Sequence, residues 1–595
     1  MQQTLSSLQV RLSALQRIRL WYTLLVLIAA VFVVRLFYLQ VIKHDYYQKA
    51  AFKSQLKQYE IPAQRGIIAA HYGEQISPLV LNQKLYTLFA DPVYVKDAHA
   101  DAAFIQRVIG GKSEDIEQSL KTAHTRYVVL AKKLSKDQKA QLDNLNLKGI
   151  GTREADYRIY PNGSLASQVL GFVNDDGNGN YGIEQALDDQ LHGQPGELKA
   201  ITDAQGVPLV GNKDNVQVDP KSGKEVVLTL DIGMQQMVED ALKAGLDAAN
   251  SKSGSAVILD INSGAVKAMA NYPTYDPSQY YSVSDPSLFN NPSVTSPLEV
   301  GSIMKTLTTS AGIDQGVITK DSTYYDPGVF VVDGIPITNV EGNTVVGTHT
   351  IQDFLNQSLN TGATWVLMQM GGGQINQKAR DTWHDYMVNH FHLGSTTGIE
   401  QGNGEEAPGS IPNPDHGYGL NIQYANTAFG QGMSATIMQM AAADAAILNG
   451  GTYYLPHLEE GYIDPATGSE VKQPPKIWKQ NIVKPGTSQA LRQLMEGVVA
   501  NNYGIYKVRK PSDQYIIGGK TGTAQISQPG GGYYANRFTG LFLGFVGGDK
   551  PQYMIAIRVN DPHINGFAGA GAAAPIFAQI SAALLDNFNV LPRTQ

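Results

Sequence analysis

The sequence contains no cysteine among its 595 residues. Disulfide bonds, thiolate metal sites and a cysteine nucleophile are therefore excluded. Basic residues are not in excess either, because 46 lysines and arginines stand against 53 acidic residues, a formal net charge of −7. This balance gives no reason to expect a nucleic-acid partner. The chain also has no internal repeat and no low-complexity tail.

Several motifs of well-known enzyme classes are missing as well. No Gly-x-Ser-x-Gly elbow occurs, which argues against an α/β-hydrolase. The string "GGKTG" at 518–522 is no phosphate loop, because that pattern needs a glycine where this chain has Gln514. His384, His390 and His392 cluster without an HExxH motif or a matching carboxylate set. We therefore predict no metal site at these histidines. We also predict no cofactor and no glycosyltransferase module.

Charge is nearly absent from one stretch close to the start. Residues 20–42 hold only Arg35 as a charged residue in 23 positions. As a helix, this stretch would span about 34 Å, and a bilayer core is about 30 Å thick. Arg35 lies toward one end, where its side chain can reach the interface. Because no clear cleavage site follows, we predict an uncleaved membrane anchor and not a signal peptide.

The residues that flank the anchor bear on its orientation. Basic residues flank it almost equally on both sides, namely Arg11, Arg17 and Arg19 before it and Lys43, Lys49, Lys53 and Lys57 after it. No second spanning segment is predicted, and the N-terminal side is short. We therefore predict a cytoplasmic tail (1–19), a single-pass anchor (20–42) and two extracytoplasmic domains (43–225 and 226–595) in a bacterial cytoplasmic membrane.

The second of these domains shows an α+β pattern. A strand is predicted at 225–231, followed by a helix with Met234, Val238, Leu242 and Leu246 on one face. Two hairpins are predicted, one at 255–270 around an Asn-Ser-Gly turn and one at 538–561. A closing helix follows, and a long helical insertion separates the early strands from the late ones. Sequence-distant strands are thus expected to share one sheet.

Three short motifs occur in order within this domain. Ser302 and Lys305 lie three residues apart, close to one helical turn, so they would share a helix face. Ser358 and Asn360 lie in a predicted loop between helices, and Lys520, Thr521 and Gly522 lie on a predicted strand. Each motif alone is weak, since short polar strings are usually helix caps or exposed edges. Ser-x-x-Lys, Ser-x-Asn and Lys-Thr-Gly together are specific.

With these motifs the chain resembles a class B penicillin-binding protein, a monofunctional peptidoglycan D,D-transpeptidase, most like the division-associated type. Further family-like strings, such as "RGII" (65–68), "YRIYPNGSLASQVLGFV" (157–173) and "YGIEQALDDQLHGQPG" (181–196), extend the likeness over most of the chain. The resemblance implies a penicillin-binding-protein/β-lactamase-like domain with an antiparallel sheet and a helical subdomain. It also implies an elongated α+β pedestal of dimerisation type.

The chemistry explains why those residues would be needed. A serine hydroxyl requires a nearby base, so Ser302 as nucleophile needs a neutral Lys305. Burial and a second cation, Lys520, would both depress the pKa of Lys305. Ser358 would relay the proton to the departing amine, and Asn360 offers an amide to the donor peptide.

The Lys-Thr-Gly strand supplies the predicted substrate contacts. Strand alternation puts Thr521 and Thr523 on the face opposite Lys520, and Gly522 keeps the edge clear for a peptide. The resemblance implies that Thr523 binds the terminal carboxylate of the substrate peptide. It also makes the backbone N–H groups of Ser302 and Thr523 the oxyanion hole.

The resemblance further implies stem peptides and β-lactams as ligands and a SEDS-family glycosyltransferase as a membrane partner. Three alternatives stay open: an elongation-type transpeptidase, a carboxypeptidase or β-lactamase-like hydrolase, and a non-catalytic scaffold. Two positions depart from the family pattern. Val300 stands where the family often has proline, and "AAHYG" (69–73) stands where it commonly has Asp-Arg-Asn-Gly.

Overall fold

The computed structural model describes residues 14–47, 56–61, 63–201, 216–340, 346–402, 406–417, 419–510, 514–528, 530–590 and 592–594. The chain divides into two compact units. One comprises residues 1–63 with 194–221, and the other comprises residues 64–193 with 222–595.

The first unit contains the predicted membrane span. An α-helix, Ala14–Phe37, continues into a π-helical turn, Tyr38–Ile42, and we call the two together the anchor helix. Residues 17–42 are long and apolar enough to cross a membrane, and none of that window is buried. Three antiparallel strands complete the unit, in the spatial order Leu56–Ile61, Gly196–Ile201, Val216–Val218. Arg11, Lys49 and Lys53, which entered the orientation prediction, lie outside the described residues.

The described part of the chain has one further helix that passes the same test of length and composition. It covers Gly569–Asn587 and is mostly buried. Ile576, Ile580 and Leu584 lie on its enclosed face, as the sequence pattern predicts. This helix therefore belongs to the core of the second unit.

The first part of the second unit is built on a seven-stranded sheet. Its strands are Ile68–Tyr72, Gln75–Ala90, Val128–Leu134, Ile150–Ile159, Glu225–Asp231, Glu459–Ile463 and Glu470–Lys472. Strand 225–231 runs parallel to 68–72 and antiparallel to 459–463. The predicted boundary between residues 225 and 226 thus falls at a strand that bonds to both predicted domains, and this boundary stays a prediction.

Two arginines and two carboxylates from the family-like strings form an ion network in this part. Arg65 contacts Glu184 at 2.7 Å and Asp188 at 2.6 Å, and Arg158 contacts Glu184 at 2.7 Å. The Glu184 side chain is fully buried. A buried carboxylate is costly without partners, so Glu184 needs both arginines. The resulting ion pairs connect three segments that are distant in the sequence.

A five-stranded antiparallel sheet, the central sheet, forms the core of the second part. Its spatial order is Val266–Tyr272, Ser253–Asp260, Pro551–Asn560, Tyr533–Gly547, Ile516–Ser527. Both predicted hairpins are confirmed, and strand 253–260 pairs with strand 551–560 across the long insertion. The last strand, 516–527, carries the Lys-Thr-Gly motif and lies at one edge, and we call it the edge strand. The predicted α+β class is confirmed.

Helices pack against the central sheet and fill the insertion. The predicted helix after strand 225–231 is confirmed as Ile232–Ala248, with its four predicted apolar residues buried. The remaining helices of eight or more residues in the second unit are Ala98–Ile109, Ser113–Leu120, Lys136–Leu145, Met304–Asp314, Asn360–Met370, Gln377–Asp385, Leu420–Thr427, Ile437–Leu448, Pro485–Tyr506 and Ala574–Asn587.

One helix of this core encloses a carboxyl group. Every residue of Ile437–Leu448 is buried, including Asp444. Asp444 Oδ2 lies 3.0 Å from the Thr306 hydroxyl, and Oδ1 has no partner among the described residues. Burial raises the pKa of Asp444 to about 8, so we infer a protonated carboxyl at neutral pH.

We expect Asp444→Asn to stabilise the protein increasingly as the pH rises. The pKa of Asp444 is higher in the folded chain than its ordinary value of 3.8, so its stabilising contribution is complete below pH 3.8 and is lost as the pH rises through about 8. The gain of the asparagine variant should therefore grow by about 3 kcal/mol between about pH 5 and pH 8. Thermal unfolding across this range measures it, with exposed Asp321→Asn as control. A gain that does not depend on pH would contradict a protonated Asp444.

Candidate active site

The three predicted motifs meet around the side chain of Lys305. Its Nζ lies 2.9 Å from Ser302 Oγ, 2.6 Å from the Ser358 carbonyl oxygen and 2.9 Å from Asn360 Oδ1. Ser358 Oγ is 3.3 Å from Lys305 Nζ and 2.9 Å from Lys520 Nζ. One serine hydroxyl thus lies between two lysines. The structure brings together all five residues of the predicted catalytic constellation.

Ser302 is presented by a tight helical start. Gly301–Ile303 forms a 3₁₀ turn that leads into helix Met304–Asp314. Gly301 has φ +54°, and a Cβ there would lie 2.7 Å from the Thr523 carbonyl oxygen. Only glycine fits this close approach to the edge strand. Val300, the departure from the family pattern, is fully buried and keeps helical backbone angles, so the turn forms without proline.

Ser358 and Asn360 lie at the junction of two helices, as predicted. Ser358 ends helix Ile351–Gln357 in the left-handed conformation, with φ 57°, and Asn360 begins the next helix. This turn directs the Ser358 carbonyl oxygen at Lys305. Asn360 Nδ2 donates to the Thr338 carbonyl oxygen at 3.1 Å. Both ends of the amide predicted to bind substrate therefore have protein partners in this structure.

The edge strand supplies the second lysine and one side of a cleft. The Lys520 side chain is buried, and its Nζ also contacts the Thr521 carbonyl oxygen at 3.0 Å. Thr523 Oγ1 accepts the Gly569 N–H at 3.1 Å. A cleft of about 730 Å³ runs past Ser302, Asn360 and Thr523. Thr521 and Gly522 are not among the described residues that line it.

Sequence reasoning missed a hairpin that borders the same cleft. Strands Val329–Val332 and Ile335–Thr338 pair through Asp333-Gly334, and Ile335, Pro336 and Ile337 line the cleft. An Asp-Gly pair between apolar runs is a hairpin signal that was available in the sequence. The aromatic wall of Phe538 and Phe567 carried no such signal, because these residues come from separate segments.

Burial gives the two lysines unusual titration behaviour. Burial lowers the pKa of Lys305 well below its usual range, and the nearby positive charge of Lys520 lowers this pKa further. Burial also lowers the pKa of Lys520 to about 7. Lys305 can therefore be neutral at a pH where Lys520 still carries a proton.

We expect Lys520→Gln to move the acidic limb of the acylation rate to higher pH. Without the neighbouring charge, the pKa of Lys305 rises, so Lys305 becomes protonated earlier on acidification. The rate constant itself should fall about 10²-fold through the lost charge stabilisation. Lys520→Arg keeps the charge, so its acidic limb should stay near that of the wild type, and the wild-type decline above about pH 7 should be absent. Penicillin acylation rates from about pH 5 to 9 measure both limbs, and an unmoved acidic limb in Lys520→Gln would contradict the charge effect.

Two of the three clustered histidines have protein partners in this structure. His390 Nδ1 donates to the Ile482 carbonyl oxygen, 2.6 Å away, and His392 packs on Trp478. Within the described part of the chain, the one group of three ligating residues is His71, Glu460 and Glu470. His71 Nε2 and the ammonium of Lys472 already occupy Glu460, so an ion network accounts for this group.

In this site a serine contacts a buried lysine, and a second lysine lies on the edge of an antiparallel sheet. This arrangement defines a class of serine acyltransferases that use lysine, and not histidine, as the base for the serine. Residues 254–582 match the penicillin binding protein transpeptidase domain, and residues 60–228 match the penicillin-binding protein dimerisation domain. The chain belongs to the penicillin-binding protein transpeptidase family. The presence of both domains confirms the prediction of a class B penicillin-binding protein, a peptidoglycan D,D-transpeptidase.

The chain is similar to several relatives along nearly its whole length. It is 31% identical over 589 residues to stage V sporulation protein D of Bacillus subtilis, which covers 97% of this chain and 87% of that protein. It is 27% identical to peptidoglycan D,D-transpeptidase FtsI of Escherichia coli K12, covering 95% and 91%. Penicillin binding protein 3 of Mycobacterium tuberculosis, complexed with aztreonam, superposes with a TM-score of 0.66 at 26% identity, covering 90% and 98%. The exposed anchor helix makes this protein a membrane-anchored member.

Proposed function

We propose that the enzyme forms peptidoglycan cross-links through an acyl-enzyme on Ser302, with Lys305 as the general base. The observation that carries this proposal is the 2.9 Å contact between Ser302 Oγ and a fully buried lysine amine. A neutral amine has two N–H groups and one lone pair. The Ser358 carbonyl oxygen and Asn360 Oδ1 can accept those two N–H groups, which leaves the lone pair for the Ser302 proton.

The reaction then proceeds in two halves. Ser302 Oγ attacks the carbonyl carbon of the penultimate D-alanine, and its proton passes to Lys305. The oxyanion is held by the N–H groups of Ser302 and Thr523. The peptide bond breaks, the leaving D-alanine nitrogen takes a proton through Ser358, and an ester on Ser302 remains. An amine of a second stem peptide attacks the ester and forms the cross-link, and the Ser302 hydroxyl is restored.

Asn360, Thr521, Gly522 and Thr523 would hold the substrate in this scheme. Asn360 and Thr523 line the cleft, so a peptide along the edge strand would meet both. Thr521 lies beside Lys520, with its hydroxyl 3.4 Å from Nζ, and is placed to orient that lysine. Asn360 keeps a second N–H and a second oxygen lone pair for a substrate amide beside its contacts to Thr338 and Lys305.

A labelling experiment tests the enzyme against its hydrolytic alternatives. Membranes that carry the full chain are treated with a fluorescent penicillin, and the bound label is followed over time. A transpeptidase holds the acyl group, so a lasting adduct on Ser302 is expected. Rapid release of label as hydrolysed penicillin would instead favour a carboxypeptidase or β-lactamase-like enzyme on the same scaffold.

We also propose a septal role, a cytoplasmic N-terminus and a SEDS-family glycosyltransferase as membrane partner. The likeness to FtsI supports division over elongation. The anchor helix exposes apolar side chains all around, so it offers a surface to another membrane protein.

Replacing the anchor tests the partner proposal. A chain whose residues 17–42 are exchanged for an unrelated membrane helix should stay membrane-bound and keep penicillin labelling. It should lose septal fluorescence and co-purification with the glycosyltransferase. Unchanged co-purification would show that the anchor helix does not carry the interaction.

A further inference from the structure

A second cleft adjoins the active-site cleft at Gln525, which lines both. It has a volume of about 780 Å³. Thr539 and Asn560 of the central sheet lie on its floor, and Leu298 and Glu299, just before the nucleophile turn, lie on its wall. The mechanism above uses none of these side chains.

A positive charge without a negative partner lies on the floor of this cleft. Arg558 donates from Nε to Asn560 Oδ1 at 2.7 Å and from Nη1 to the Ser296 carbonyl oxygen at 2.9 Å. Both acceptors are neutral, and within the described part of the chain no carboxylate pairs with this guanidinium. Burial lowers the pKa of Arg558 to about 10. A desolvated guanidinium of this kind binds a carboxylate well.

None of the other charged groups around the cleft forms an ion pair with Arg558 among the described residues. Lys252 is exposed at the rim. Arg537 and Asp561 pair with each other at 2.9 Å. Glu299 accepts the Gly432 N–H and the Tyr533 hydroxyl on one oxygen, and its other oxygen is buried without a hydrogen-bond partner among the described residues. His563 lies 3.2 Å from the Asn250 carbonyl oxygen.

We propose that this cleft binds a carboxylate of a peptidoglycan stem peptide, held by Arg558 with Lys252 at the rim. This inference rests on the proposed transpeptidase function and extends it from the reacting D-alanine to the body of the substrate. Both the donor and the acceptor peptide carry carboxylates, so the experiment below has one arm for each.

The distance from the nucleophile suits such a substrate. Gly522 lies opposite Leu541, and Leu541 lies opposite Arg558. Two strand spacings separate Gly522 from Arg558, about 10 Å. Gly522 itself lies against the turn that carries Ser302. Leu541 is buried between them, so a bound peptide reaches the second cleft past Gln525 and not straight across the sheet. An extended peptide covers about 10 Å in three residues, so the recognised carboxylate belongs at least about three residues from the reacting group.

The donor arm compares two synthetic peptides that end in D-Ala-D-Ala. One has a free carboxylate about three residues before its end, and the other has a carboxamide there. We expect the full-length wild type to be acylated about tenfold faster by the carboxylate. Arg558→Gln should abolish this preference, Arg558→Lys should retain part of it, and Lys252→Gln should weaken it. Exposed Lys550→Gln, in the turn of the closing hairpin, is the control and should keep the full preference.

The acceptor arm measures the ratio of transfer to hydrolysis when the attacking amine is on a peptide with a carboxylate or a carboxamide. A preference for the carboxylate peptide that is lost in Arg558→Gln supports the proposal. The arm in which it is lost shows whether the cleft binds the donor or the acceptor peptide. If wild type shows no preference in either arm, or if Arg558→Gln keeps it, the proposal is wrong. Fluorescent penicillin reports whether each variant is folded. Failure of the proposed function is distinguishable, because the wild type would then react with neither donor.

Discussion

Ser302→Ala is expected to abolish covalent labelling by fluorescent penicillin. Without Ser302 Oγ no ester can form, and the remaining groups can only bind the ligand. The rate of peptide cross-linking should fall by about 10⁴-fold or more, as for other serine acyl-enzymes. Labelled membranes separated on a denaturing gel measure the adduct, and cross-linked product is measured by mass spectrometry.

A matched control separates this effect from misfolding. Ser282 is exposed and lies outside the cleft, so Ser282→Ala should label like the wild type. Ser302→Ala removes one polar contact to Lys305, and its thermal unfolding should change little. A folded Ser302→Ala protein that still forms the adduct would refute Ser302 as nucleophile. Full growth and cross-linking in cells that carry only this variant would favour the scaffold alternative.

Lys305→Met is expected to slow acylation by about 10²- to 10⁴-fold, the usual contribution of a general base. Methionine fills a similar volume without an amine, so Ser302 loses the group that takes its proton. Lys305→Arg should be no better, because a guanidinium stays protonated and has no lone pair to offer. Stopped-flow measurement of the second-order rate constant with a chromogenic β-lactam checks both variants.

The Lys305 variants should nevertheless be folded, which makes the measurement decisive. Lys305 is fully buried with a strongly lowered pKa, so removing it also removes a desolvation cost. We therefore expect Lys305→Met to unfold at or above the wild-type temperature. An acylation rate within about threefold of the wild type would show that another group acts as the base.

Local patterns were enough to predict most of the elements. The helix after strand 225–231, both hairpins and the closing helix follow from apolar spacing and turn residues, and each is confirmed. The domain boundary was harder to predict. Strand 225–231 pairs with strands from both predicted domains, and a short apolar run does not reveal its neighbours.

The candidate site could likewise be predicted only in part from the sequence. The identity and order of Ser302, Lys305, Ser358, Asn360 and Lys520 were readable as motifs. Strand alternation put Thr521 and Thr523 on the face opposite Lys520, but it could not show that Thr523 reaches the cleft or that the Thr521 hydroxyl lies 3.4 Å from Lys520 Nζ. Arg558 belongs to no motif, and its charge became informative only when its neutral partners were known.

Composition and spacing along single elements were enough to predict the apolar anchor, the α+β class and the set of residues able to carry acyl transfer. Tertiary structure alone decided that Lys305 and Lys520 are buried on either side of Ser358, 2.9 Å from the groups they act on. The burial of Lys305 and the effect of the second charge on its pKa depend on residues that are far apart in the chain. Ser302 and Lys305, one helical turn apart, become a reactive pair only through that enclosure.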